Sequence, residues 1–181
     1  MSEMKSTERP LRRKDRQLSP EETRFAAKHA QFAIVSTADA SGTPYGIPLS
    51  AVYSDEDQTL YCHTVKSTDS RLYQNLKQNP KISACMILHA KPAVDEVPQE
   101  FTVNFVSVVA AGELHEVTDE DERQRVMAII SKHYLPMVTP EQIKDYYKAF
   151  GADTIVWKMT INSMTGKARH KEKFFDRFQQ A

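Results

Sequence analysis

At 181 residues the chain fits one ordinary domain with a few added helices, and 40% hydrophobic with 27% charged residues is the make-up of a soluble globular protein. Lysine plus arginine and aspartate plus glutamate both number 24, so the formal net charge is zero and the basic excess of a duplex-binding domain is missing, which argues against nucleic acid as a partner. No apolar stretch approaches the roughly 18 residues of a membrane-spanning helix, and the polar start MSEMKSTERP is unlike a secretory leader, so a cytoplasmic protein with no membrane partner is expected.

The first segment, 1–18, reads as a basic arm (RPLRRKDR at 9–16) that packs across the domain. Ser19-Pro20-Glu21-Glu22 then opens a helix: Ser19 caps it, Pro20 suits the first helical position, and Glu22 completes a capping box. This helix should run to about Gln31. FAIVSTA (32–38) reads as a strand, Asp39 to Gly42 as a turn, and TPYGIPLSAVY (43–53) as the returning strand. Pro44 and Pro48 cannot donate to a ladder, so the returning strand should be an edge or carry a bulge, leaving backbone near 47–50 free. SDEDQ (54–58) is a turn and TLYCHT (59–64) a third strand.

Residues 61–80, YCHTVKSTDSRLYQNLKQNP, begin as strand and end as a helix closed at Asn79-Pro80, entered around Ser67. KISACMILHA (81–90) is an apolar strand and KPAVDEVPQE (91–100) a loop. FTVNFVSVVAAGELHEV (101–117) is one long strand, or two joined through Ala110-Ala111-Gly112. Thr118 caps an acidic first turn, and 119–134 is an amphipathic helix with Val126, Ile129 and Ile130 on its buried face. Pro136 and Pro140 break it, 140–150 forms a short helix, and DTIVWKMTI (153–161) is the last strand. The tail 169–181 reads as helical, with Phe174, Phe175 and Phe178 on one face. Short turns join most strands, so the class is mainly β with added α: about six antiparallel strands in a small closed or half-closed barrel with peripheral helices, filling 19–168 as one domain.

Chemistry-bearing motifs are few. His29, His63, His89, His115, His133 and His170 are scattered without the spacing of a metal site, so no metal is expected. Cys62 and Cys85 lie in apolar runs and read as buried thiols. Cys62 beside His63 is no catalytic dyad, because strand neighbours point to opposite faces. Thr165-Gly166-Lys167 resembles a fragment of a phosphate loop, but Ile161 stands where that loop needs glycine, and five glycines assemble no dinucleotide fingerprint. The bend after His63 remains. Lys66 and Arg71 flank a helix start, whose free N–H groups and neighbouring hydroxyls suit a phosphate monoester. On these residues alone, a plain helix cap with solvated cations is the favoured account of the bend.

The order of several motifs goes further. RRKDRQLS (12–19), A-x-V-S-T-x-D-x-x-G-x-P-Y-G-I-P-L-S (33–50), L-Y-C-H-T (60–64), V-S-V-V-A-A-G-E-L-H-E-V (106–117) and M-T-G-K-A (164–168) resemble the pyridoxamine 5′-phosphate oxidase-like FMN-binding split barrels. Within them, the chain is most similar to the nitroimidazole-resistance branch. The resemblance implies a six-stranded antiparallel split barrel and a homodimer with FMN between the subunits. By position, Ile47, Pro48, Leu49 and Ser50 would run along the flavin ring, with His63 and Thr64 beside the ring or ribityl chain. Lys66, Ser67 and Arg71 would take the phosphate, and Ser107 would approach from the long strand. His63 matches the branch's reactive histidine. The bend HTVKSTDSR is longer than the glycine-containing turn common in relatives, which leaves the choice between Lys66 and Arg71 open.

The implied activity is FMN-dependent oxidoreduction: NAD(P)H as electron donor and a small organic substrate, nitroaromatic or nitroimidazole, as acceptor. Two rivals stand beside it. One is oxidation of a phosphorylated vitamin B6 compound, for which no second cationic cluster is evident; the other is a non-catalytic flavin- or haem-binding protein.

Overall fold

The computed structural model describes residues 12–94, 101–169 and 174–175. Four α-helices lie within them: α1 (Pro20–Lys28), α2 (Arg71–Gln78), α3 (Glu120–Tyr134) and α4 (Pro140–Phe150). The strands are β1 (Ala33–Ala38), β2 (Pro44–Leu49), β3 (Ala51–Ser54), β4 (Thr59–Val65), β5 (Lys81–Ala93), β6 (Thr102–Glu116) and β7 (Thr154–Ala168). They form one sheet in the order β2-β1-β5-β6-β7-β4-β3, every pair antiparallel.

The expected six strands are thus seven, because the segment 43–53 divides at Ser50 into β2 and β3. These two pieces are consecutive in sequence yet occupy the two outermost places of the sheet, with no ladder between them, so hydrogen bonds do not close the sheet and the closed form of the expected barrel is not seen. Proline explains the position of β2. A strand with a neighbour on one side only has less need of the N–H groups that Pro44 and Pro48 lack.

Other boundaries moved for identifiable reasons. β7 continues past the expected end at 161 to Ala168, because β6 offers it a partner residue by residue from Val106 to Glu116. Tertiary pairing there overrides the turn-like Asn162 and Gly166. β5 likewise carries Lys91 and Pro92 into pairing with Asn104 and Val103, where a loop was expected. β6 is one strand, with a register shift between Ala111 and Gly112. Gly112 is required there, since a Cβ would lie 2.0 Å from the carbonyl oxygen of Thr160. The cap of α3 is Asp119, whose carboxylate accepts from the Glu122 N–H at 2.8 Å, and not Thr118. The capping box of α1 is present as expected, but the helix stops at Lys28. Leu18 in the basic arm donates its N–H to the Gly166 carbonyl at 3.0 Å. The expected helical tail lies outside the described residues, except for Arg169, Phe174 and Phe175; both phenylalanines pack on the core.

Two hydrophobic clusters sandwich β4. Leu60 and Cys62 enter one, with Val35, Met86, Val108, Trp157 and the alanines of α1. Tyr61 enters the other, with Val52, Val156 and the α3 residues Val126, Met127 and Ile130. Strand alternation accounts for this division and sets His63 on the Tyr61 face, the one covered by α3. A buried polar link completes the frame: Asn75 of α2 donates to the Thr37 hydroxyl of β1 at 2.9 Å.

Gly112→Ala should destabilise the fold by about 3 kcal/mol, the upper end for overpacking, because the clash is with backbone and no rotamer relieves it. Chemical denaturation of the variant checks this; an unchanged midpoint would show that the two strands separate without cost.

Candidate functional site

The division at Ser50 and the end of β4 meet α3 and α4. Tyr134, in the last turn of α3, sets its hydroxyl 2.7 Å from the Gln31 carbonyl and 3.2 Å from that of Ala51. This fixes the end of the helix to the chain just before β1 and just after Ser50. Residues 135–138 between α3 and α4 join them in lining a cleft of about 780 Å3. Ser50 and His63 line it from the sheet; Met127, Ile130 and Tyr134 of α3 and Ile143 of α4 line it from the helices.

His63 is half-buried, and its Nδ1 is buried without a hydrogen-bond partner. Burial holds its pKa below the ordinary imidazole value, so the ring is neutral at neutral pH. A neutral imidazole with an unsatisfied nitrogen beside an apolar cleft is set to make one hydrogen bond or hold one proton. Cys62 next to it is inert: burial pushes its thiol up to about 12.

The other expected site residues are dispersed. Ile47 and Leu49 turn their half-buried side chains onto the core, while Pro48 and Ser50 are exposed. Thr64 accepts the indole N–H of the buried Trp157 at 2.9 Å. Lys66 is exposed and lines a separate, smaller cleft with Glu116 and Arg123. Ser67 was expected at the helix start, but Ser70 is the cap, accepting from the Tyr73 N–H. The Ser67 hydroxyl donates instead to Asp69 at 2.7 Å, and that bond holds the Asp69 carboxyl below the usual range. Arg71 is exposed, with its guanidinium carbon 4.8 Å from the centre of the Tyr45 ring. Ser107 is half-buried on β6, opposite Ile87 and Lys167.

The structure therefore brings Ser50 and His63 into one cleft and leaves Lys66, Ser67, Arg71 and Ser107 outside its lining. The helical half of the lining went unread in the sequence. Its one local signal is the exposed apolar pair Leu135 and Met137, in a connection where polar residues would be ordinary. Among the described residues, no group of histidine, cysteine or acidic side chains is arranged to hold a metal ion.

A planar flavin ring has polar edges and flat apolar faces. The orphaned Nδ1 of His63 beside an apolar cleft fits such a ring. The exposed cations Lys66 and Arg71, beyond it in sequence, are of the right charge for its phosphate.

The sequence model of the family described as pyridoxamine 5′-phosphate oxidase matches residues 22–168. No curated protein matches the chain. Solved structures with the same fold include a candidate 5-nitroimidazole antibiotic resistance protein from Bacteroides thetaiotaomicron, at 20% identity and TM-score 0.65, covering 83% of this chain and 85% of its own. An FAD-binding protein from Mesorhizobium loti aligns at 21% identity and TM-score 0.58, covering 85% of this chain and 97% of its own. An FAD and haem binding protein from Mycobacterium smegmatis aligns at 15% identity and TM-score 0.66, covering 86% of this chain and 74% of its own. At these identities the likeness is one of fold.

The half-buried histidines give a pH signature. Burial lowers the pKa of His63 and of His133, so the unfolded chain takes up protons before the folded one does. Their contribution is complete above about pH 6.5 and is lost as pH falls below it, towards the folded-state values. Urea midpoints should thus fall between about pH 7.5 and pH 5.5, and His63→Gln should shrink the fall. An identical fall in the variant would show that His63 is not the buried, neutral group described.

Proposed function

The chain belongs to the pyridoxamine 5′-phosphate oxidase family, and from that membership we propose that it is an FMN-dependent oxidoreductase, passing electrons from NAD(P)H to a small organic substrate such as a nitroaromatic. The observation that carries the reading is the buried, unpartnered Nδ1 of His63 in the lining of the large cleft. An imidazole nitrogen left dry and unsatisfied costs free energy unless something completes it, and a bound heteroaromatic ring would. The flavin-binding relatives of the same fold support flavin as that ring.

FMN, when bound, supplies the hydride and electron chemistry. The protein's own residues do the rest. His63, neutral through burial, holds or delivers a proton at its ring nitrogen. The backbone at 47–50, on the outer strand β2 and the Ser50 division, offers groups for the ring edge. Lys66 and Arg71 give positive charge for the phosphate, and the Ser67 hydroxyl joins them only by turning away from Asp69. The α3–α4 connection, fastened by Tyr134, supplies the apolar side of the cleft. In this reading the sheet edges close into a split barrel across Ser50, and two copies complete the site as a homodimer.

FMN should raise the melting temperature and give the purified protein a flavin absorption band; failure of both sinks the proposal. Loss of a charge-assisted contact is worth about 1.5–3 kcal/mol, so Arg71→Ala or Lys66→Ala, whichever holds the phosphate, should weaken FMN roughly 10- to 100-fold. His63→Asn should slow substrate reduction by about 100-fold with FMN still bound. NADPH reducing the bound flavin no faster than free FMN would indicate a carrier and not an enzyme.

A further inference from the structure

A second cleft, apart from the one at His63, lies between the start of α3 and the end of α4. Its volume is about 460 Å3, with Arg123 and Gln124 of α3 on one wall and Lys144, Tyr147 and Lys148 of α4 on the other. Three cations therefore share the lining with one carboxylate, that of Glu120. The carboxylate is already committed: one oxygen accepts from Arg123 at 3.0 Å and the other from Gln124 at 3.4 Å. Lys144 and Lys148 are exposed and enter no ion pair among the described residues. The Tyr147 hydroxyl is buried and has no hydrogen-bond partner. Its ring is locked in place, with the Arg123 guanidinium carbon 5.8 Å from the ring centre and Gly151 so close that an added Cβ would lie 3.1 Å from ring carbons. Burial, with Glu120 beside it, raises the pKa of this phenol, so it keeps its proton. It is a fixed donor in want of an acceptor, and leaving it dry costs free energy.

We propose that this cleft binds a phosphate monoester, held by Lys144, Lys148 and the Tyr147 hydroxyl. Arg123, already bound to the carbonyls of Gly151 and Thr154, adds a fixed positive charge. The first turn of α3 lines the same place, so the positive end of its dipole adds to the field. A phosphate monoester carries close to two negative charges at neutral pH and three acceptor oxygens. Two free ammonium groups and one unsatisfied hydroxyl match that set better than they match a carboxylate. The volume lies within the usual range of small-molecule sites. Two sources share this chemistry: the 2′-phosphate that separates NADPH from NADH, and a free phosphorylated metabolite. The first makes the cleft the place where the electron donor is recognised, and that identification alone rests on the flavin reading above.

The test titrates 2′-AMP and adenosine, which differ only by the phosphate, into the full-length protein by equilibrium dialysis, with and without one equivalent of FMN. Both forms should bind 2′-AMP at least about tenfold more tightly than adenosine. Lys144→Glu and Lys148→Glu should each lower that ratio about tenfold, with little change in melting temperature because both side chains are exposed. Tyr147→Phe should lower it severalfold and leave the melting temperature unchanged or higher, since it removes an unsatisfied hydroxyl. No preference for 2′-AMP, displacement of 2′-AMP by the equivalent of FMN, or an unmoved ratio in any of the three variants would each overturn the inference. NADPH binding at least about tenfold more tightly than NADH, with the difference lost in Lys148→Glu, identifies the donor's phosphate as the ligand. Equal binding of the two dinucleotides beside a retained 2′-AMP preference identifies a free phosphorylated metabolite. FMN binding, read by its absorption band, keeps this reading apart from the flavin one. A 2′-AMP preference without FMN binding sinks the flavin reading alone, and FMN binding without the preference sinks this one alone.

Discussion

Leu60, Tyr61 and Cys62 are all buried, so β4 needs a hydrophobic layer on each of its faces, and the architecture follows from that requirement. One layer comes from the sheet's own concave packing with α1 and α2. The other can only be a helix laid across β3, β4 and β7, and α3 supplies it with Val126, Met127 and Ile130. Burying those side chains is worth roughly 1.5–3 kcal/mol each, so α3 is part of the fold and not an ornament on it. Because His63 follows Tyr61 by two residues, the same layer covers it at the point where the cluster gives way to the cleft. The position of the histidine is therefore a consequence of packing.

A second constraint is the chain's passage through Ser50. β2 and β3 are one run of sequence serving both outer places of a seven-stranded sheet. Such a run must leave one ladder and join another within a residue, and Pro48 beforehand removes an N–H that would otherwise have held it to a neighbour. Tyr134 fastens the departure point through the Ala51 carbonyl. Loss of that hydroxyl would free α3 and the Ser50 division together, which couples the helical cover to the sheet edge.

The elements with strong local chemistry were legible in the sequence: the capping box at Ser19, the β1–β2 hairpin, the proline-marked edge, and α4 beginning at Pro140. Those decided by distant partners were not. The run 162–168 carries asparagine and glycine and reads locally as a turn, yet β6 holds it as strand. Ser67 and Ser70 are both competent caps, and the choice of Ser70 depends on the carbonyl of Ser67 accepting the Ser70 hydroxyl. Of the site, His63 and the Ser50 edge were named through the family resemblance, which places them by motif and not by pattern. The helical wall could not, since Met127, Ile130 and Ile143 look like ordinary core residues until they are found lining one cleft with the α3–α4 connection.

The charges of α3 show how that wall is kept both fixed and neutral. In its N-terminal half, Arg123 reaches the carbonyls of Gly151 and Thr154, Arg125 pairs with Asp57 and donates to the Tyr61 hydroxyl, and Glu122 accepts from Lys158 at 2.6 Å. Burial pulls the Asp57 carboxyl up, but the hydrogen bonds from Arg125 and Ser54 outweigh it and hold the group ionised. Partly exposed pairs of this kind contribute little stability individually. Their value here is positional, because Asp57, Tyr61 and Lys158 all belong to the sheet side and fix the helix axis over it. The C-terminal half, from Met127 to Tyr134, puts no charge into the cleft lining. One helix thus separates its two tasks along its length: ionic attachment at the start, and a charge-free wall at the end, where a neutral histidine keeps its unsatisfied nitrogen.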